Sequence, residues 1–244
     1  MENLNNNYEN GYGYQTAVQA ENEATLKRYI ASVMRRVYGK MTVGLLVTAL
    51  VSFLVVSSQA LVDMIFASSF IFYGLIFAEL GLVLYLSARI DKMSSTAATI
   101  AFYAYSALNG ITLAPIFFMY TDVSIALTFA ITAGTFGAMT IFGYVTRQDL
   151  SKMGSILFMA LIGLILCTIV NLFMHNSMLE MLISGAGVLI FIGLTAWDTQ
   201  SIKRMCEASD STMVNKVATM GALSLYLDFI NLFLYLLRFF GRRS

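Results

Sequence analysis

The sequence predicts an all-α polytopic membrane protein with seven crossings, and three observations carry that prediction. Of its 244 residues, 58% are hydrophobic and only 12% are charged, where soluble domains carry about 25% charged residues. The charges are also segregated. None falls between Lys40 and Asp63, Lys92 and Asp122, Asp122 and Arg147, or Lys152 and Glu180. Each gap has room for a helix of about 20 residues, enough to cross roughly 30 Å of hydrocarbon. Finally, the basic residues recur in every second loop, as in a chain that crosses a bilayer back and forth.

Residues 1–26 are rich in Asn, Glu, Tyr and Gly and are expected to form a disordered polar tail. Residues 27–40 set Lys27, Arg28, Arg35 and Arg36 beside Ile30, Val33, Met34 and Val37. That pattern predicts a basic amphipathic helix lying on the membrane surface. A single membrane domain is expected over 41–244, with crossings near 41–61, 64–88, 96–119, 123–145, 154–174, 179–201 and 219–238. No linker divides it, and no internal repeat suggests a transporter built from inverted halves.

Lys and Arg precede the first crossing and fill the loops after the second, fourth and sixth. The alternate loops around Ser57–Asp63, Tyr120–Asp122 and Asn171–Glu180 contain none. This predicts a cytoplasmic N-terminus. Seven full crossings then place Arg242 and Arg243 on the opposite side, against the rule. A full last crossing is expected over a re-entrant one.

The composition also excludes function classes. A net charge of +1, with no basic patch interleaved with aromatics, gives no nucleic-acid partner. Cys167 and Cys206 lie far from any second Cys or His at ligand spacing and are expected as free thiols. The lone His175 supports neither a metal cluster nor a triad. No signal peptide and no enzyme site are evident, and no cofactor is expected. Gly134 with Gly137, and Gly185 with Gly187, are read as small-residue helix contacts.

Chemistry is concentrated in the acids of the apolar spans, since a bare carboxylate at mid-membrane costs about 2.5–3.5 kcal/mol on insertion scales. In the last span Gly221, Ser224, Asp228, Asn231, Tyr235 and Arg238 recur at steps of three and four. They share one stripe of an otherwise Leu- and Phe-rich helix. A seam of that kind belongs inside a bundle. Asp198 stands near the end of the sixth span, an antiparallel neighbour of the seventh. Asp228 lies nine residues beyond Thr219, roughly 13 Å of helix rise, so tilt or a longer sixth helix lets the two carboxyls meet. Two carboxyls in contact at low dielectric cannot both stay ionised, and they share a proton. Such a pair latches two helices in one protonation state and releases them in the other. It also offers oxygens to a hard cation, although calcium wants about six to eight of them. The plainer alternative is that each Asp only binds a neighbouring helix.

Glu79 in the second span is expected to line a pathway or to pair with a polar neighbour. Arg89, ending that span, either snorkels to the headgroups or supplies a counter-charge to Asp198. Asn109 and Pro115 suggest a polar contact and a kink in the third span, and Ser224 and Asn231 continue the polar seam.

These residues make a family recognisable. Arg35-Arg-Val-Tyr-Gly-Lys-Met-Thr42, Gly110-Ile-Thr-Leu-Ala-Pro115, Asp198-Thr-Gln200 and Ala222-Leu-Ser-Leu-Tyr-Leu-Asp-Phe-Ile-Asn-Leu-Phe233 resemble the Bax inhibitor-1 family in its bacterial branch, from about residue 28 onward. The resemblance implies six helices around a central seventh, in an inner (plasma) membrane. It also implies a pH-sensitive calcium leak channel gated by a di-aspartyl pair, matched here by Asp198 and Asp228. Arg89 matches the family's arginine at the end of helix 2, and Glu79 an acidic position in that helix. Calcium is then the permeant or weakly bound ion, with protons as regulator. An alternative is a regulatory protein acting through a membrane-protein partner such as a protease. An intramembrane aspartyl protease is disfavoured, because Trp197 precedes Asp198 and no Gly-x-Gly-Asp precedes Asp228.

Overall fold

The computed structural model describes residues 2–208 and 213–243. Its elements are α1 (Glu2–Val56), α2 (Gln59–Phe66), α3 (Ser69–Arg89), α4 (Ser95–Leu113), α5 (Ile116–Met119), α6 (Asp122–Val145), α7 (Ser151–Met174), α8 (Ser177–Ala208) and α9 (Val214–Phe240). Among the described residues seven helical segments are long and apolar enough to cross a membrane, α4 and α5 together making one of them. The chain is an integral membrane protein of seven transmembrane helices.

Local chemistry sets the boundaries. Ser58, in extended backbone, separates α1 from α2, and Ser68 does the same before α3. The second crossing therefore starts at Ser69, with residues 59–66 as a separate short helix rather than part of the span. Ser94 caps α4 by accepting from the Ala97 amide at 3.2 Å, and Thr121 caps α6 by accepting from Ser124 at 3.3 Å, each satisfying an amide that the first turn leaves free. Pro115 has no amide hydrogen to continue α4, and the helix breaks there. His175 closes α7 in the left-handed region at φ 51°.

One expectation is corrected at the N-terminus. The polar tail and the surface helix are not separate from the first crossing, because α1 runs unbroken from Glu2 to Val56. Ile30, Val33, Met34, Val37 and Met41 are buried in the central core with Ile202, Cys206, Val217 and Ala218. Their i, i+3, i+4 spacing marks an apolar face without saying what covers it. Here α8 and α9 cover it instead of lipid. Glu21–Val56 is 36 residues, about 54 Å of helix. It outruns the hydrocarbon at the end bearing the basic loops, and α8 accompanies it.

Helix α9 is central. Its apolar window is 67% buried within the protein, against 6% for α3 and for α7. It packs on α1, α4, α6 and α8, while α3 is held chiefly by α4 and α7 by α8. Water does not drive helices together inside lipid, so close packing and interhelical hydrogen bonds do. The Thr48 hydroxyl bonds the Tyr226 hydroxyl at 2.6 Å and donates to the Ser106 carbonyl at 2.8 Å, and Ser52 donates to the Gly110 carbonyl at 2.5 Å. Such bonds contribute on average about 0.6 kcal/mol each. Gly143 and Gly154 let α6 and α7 close on α8, because a Cβ on either would run into the Ala196 backbone or the Trp197 ring. Gly134 and Gly137 have open space around them, so these two are not helix contacts.

The last helix crosses fully. Thr121 donates its amide to the Arg242 carbonyl at 3.2 Å, and Arg242 donates to the Ser124 hydroxyl at 3.0 Å. The C-terminus thus lies beside the α5–α6 loop, at the end without basic loops. Arg243 and Arg238 both reach Glu180, at 3.4 and 4.0 Å. Of the two arginines that break the positive-inside pattern, Arg243 thus shares a carboxylate with Arg238.

Candidate functional site

Antiparallel packing of α8 on α9 fixes the register of the two aspartates. Ile202 lies against Gly221 at one end of the pair, and Tyr235 lies against Gly187 at the other. That register sets Asp198 about one helical turn from the level of Asp228. Their carboxyl groups come within hydrogen-bond reach of each other. Both helices are longer than expected, α8 running to Ala208 and α9 starting at Val214. The offset in depth read from sequence shrinks to that one turn.

Asp228 is buried, 4% exposed, and its Oδ2 has no hydrogen-bond partner among the described residues. Asp198 is half-buried. Nearby hydroxyls serve their own helix instead, Thr195 donating to the Phe191 carbonyl and Thr199 to that of Thr195, at 2.7 and 2.8 Å. Neither aspartate has an ion pair with a described residue. In this environment two charges in contact are far more costly than one charge and a shared proton.

Arg89 does not join them. It is exposed at the end of α3 and forms no ion pair among the described residues. The physical reason is that α3 packs on α4 and not on α8, so its last residue is held away from Asp198. Glu79 makes a separate cluster. It accepts from the Asn109 amide and, at 2.7 Å, from the Thr112 hydroxyl, so a carboxylate on a largely lipid-facing helix is satisfied by α4. Ser224 is half-buried, and Asn231 donates to the Leu227 carbonyl of its own helix at 2.8 Å. These seam residues do not converge on the aspartates.

Sequence reasoning missed a clamp behind the pair. The Gln200 amide is buried, donates to the Gln148 carbonyl at 2.8 Å and accepts from the Leu150 amide at 2.9 Å. Arg204 adds Asp149 at 2.7 Å, together with the Ser151 hydroxyl. The α6–α7 loop is thereby tied to α8 just beyond Asp198. Hydrogen bonds from the Ser151 side chain and amide, with Arg204 beside it, hold the exposed Asp149 carboxyl below the usual carboxylate range. Gln200 stands in the Asp-Thr-Gln motif, which was the available signal. Lys40 was also missed, and it donates to the Thr99 and Thr219 hydroxyls at 2.6 and 2.7 Å.

The pair supplies four oxygens, and no group of three or more His, Cys, Asp or Glu side chains comes together among the described residues. A calcium ion held here needs backbone carbonyls or water as well.

The fold and the paired carboxyls define a seven-helix integral membrane protein with two neighbouring aspartates between its two C-terminal helices. Residues 30–244 match the family described as inhibitor of apoptosis-promoting Bax1, and the chain belongs to the Bax inhibitor-1 family. It is 49% identical over 217 residues to the inner membrane protein YbhL of Escherichia coli, covering 88% of this chain and 93% of the relative. An uncharacterized protein of Borreliella burgdorferi is 47% identical over 212 residues, 86% of this chain and 91% of the relative. An uncharacterized membrane protein of Streptococcus pyogenes serotype M1 is 37% identical over 229 residues, 93% and 98% of the two chains.

Proposed function

We propose that this protein is a pH-sensitive calcium leak channel of a bacterial inner membrane, its N-terminus cytoplasmic, gated by Asp198 and Asp228. The observation that carries the reading is the contact between these carboxyls across α8 and α9, with one Asp228 oxygen left unpartnered. Sharing one proton, the pair bonds the helices to each other. Losing that proton leaves two like charges in contact, a state relieved by separating the helices or by admitting a cation. Calcium suits the site as a hard, oxygen-seeking ion, and two carboxyls short of a full shell suit passage over storage. The leak is passive, with no catalytic step and no cofactor. The basic loops at one end support a cytoplasmic N-terminus, and the relative named an inner membrane protein supports the compartment.

The test is calcium entry into proteoliposomes that enclose a calcium dye, across a pH range spanning neutrality, with protein-free vesicles as reference. A protein-dependent flux that changes with pH is expected. Folded, reconstituted protein that passes no calcium at any pH would favour a regulator working through a membrane-protein partner.

A further inference from the structure

Helices α1 and α6 each pack on α8 and α9 but make no extended contact with each other. The result is a cleft between them, floored by the two C-terminal helices. Away from the basic loops it holds an apolar cavity of about 120 Å³ between Leu45 and Ala49 of α1, Ile125 and Phe129 of α6, and Phe229 and Phe233 of α9. Toward the basic end lies a separate groove of about 320 Å³, lined by Ala31 and Tyr38 of α1 and by Thr140 and Tyr144 of α6. The Tyr38 and Thr140 hydroxyls are both buried and face each other there, within reach of Thr199. Beyond Val145 the groove meets a polar bowl of about 580 Å³ that contains Arg147, Lys203 and Arg204. Asp149 neutralises Arg204. Arg147 and Lys203 have no ion pair among the described residues, and the Lys203 ammonium sits 5.7 Å from the Tyr144 ring centre. Glu207 stands on the rim as the opposing charge.

We propose that this cleft is a binding site for an anionic membrane phospholipid. An apolar groove between α1 and α6 and two cations without an ion pair at its mouth match the acyl chain and the headgroup of such a molecule in order. The acyl chain fills the space between α1 and α6. The headgroup phosphate lies between Arg147 and Lys203. A zwitterionic lipid fits the same channel and gains less at the bowl, since its own ammonium offsets the phosphate. The site is independent of any ion flux.

The experiment is native mass spectrometry of the full chain in mild detergent, titrated with phosphatidylglycerol or with phosphatidylcholine of matched acyl chains. Retention of phosphatidylglycerol in preference to phosphatidylcholine is expected. Arg147→Gln and Lys203→Gln should each lower phosphatidylglycerol affinity about fivefold, the ratio that one interfacial charge supplies, with little change for phosphatidylcholine. Ala31→Trp, placed at an exposed position on the groove wall, should weaken both lipids. Equal retention of the two lipids by the wild type, or an unchanged preference in the double glutamine variant, would overturn the headgroup assignment. Unchanged retention in Ala31→Trp would overturn the placement of the acyl chain.

Discussion

Asp228→Asn is expected to leave a folded protein whose calcium flux no longer responds to pH. Asparagine keeps the shape of aspartate and presents both a donor and an acceptor, so it satisfies Asp198 in a single fixed arrangement. What it lacks is the ionisation that turns an attractive contact into a repulsive one. The buried position, with Asp228 4% exposed, makes the effect large, because solvent does not screen the exchange of one charge for two. Flux assays on the variant across the same pH range check this. A wild-type pH profile in Asp228→Asn would show that the pair is packing and that the gate lies elsewhere. Asp198→Asn is expected to behave alike, since a shared proton belongs to both residues.

Gly143→Ala should be the most disruptive one-carbon change in the bundle. The added methyl meets the carbonyl oxygen and Cα of Ala196, which are backbone atoms and cannot rotate away. Relief requires α6 and α8 to separate along a contact that lies one turn from the Gln200 clamp. Overpacking of this kind costs about 1–3 kcal/mol and shifts backbone. A lowered melting temperature in detergent is expected, with a wild-type response for Gly137→Ala, whose new methyl has nothing within 4 Å. Equal thermal stability of the two variants would mean that α6 and α8 are not so closely apposed.

The parts of this molecule that were legible in the sequence are those that a bilayer makes expensive. Charge-free stretches had to be crossings, and a carboxylate inside one had to find a partner. Asp198 and Asp228 were therefore visible before any geometry. So was the interior placement of α9, whose residues at steps of three and four put a polar seam on a helix too apolar to be soluble. Illegible were features in which periodicity names a face and leaves its cover open. Ile30, Val33, Met34 and Val37 read as a surface helix and proved to be core, because an apolar stripe looks alike against lipid and against α8. Gly134 and Gly137 read as contacts and face open space, since glycine spacing does not tell which side of α6 meets protein. Arg89 is close to the aspartates in family pattern only. Its position follows from which helix α3 packs on, and no local signal encodes that. The Gln200 clamp lay inside a recognised motif, yet its partners are backbone atoms of a loop, and backbone atoms have no sequence signature.

The central claim is that Asp198 and Asp228 share one proton and titrate as a unit. Infrared difference spectroscopy of the reconstituted protein reads it directly, through the carbonyl stretch of protonated carboxyl groups followed against pH. The account predicts two separate steps in the wild type and one altered step in each of Asp198→Asn and Asp228→Asn, because removing either partner changes the titration of the other. Two independent carboxyls would contradict it. Each variant would then lose its own step and leave the remaining one where it stood in the wild type.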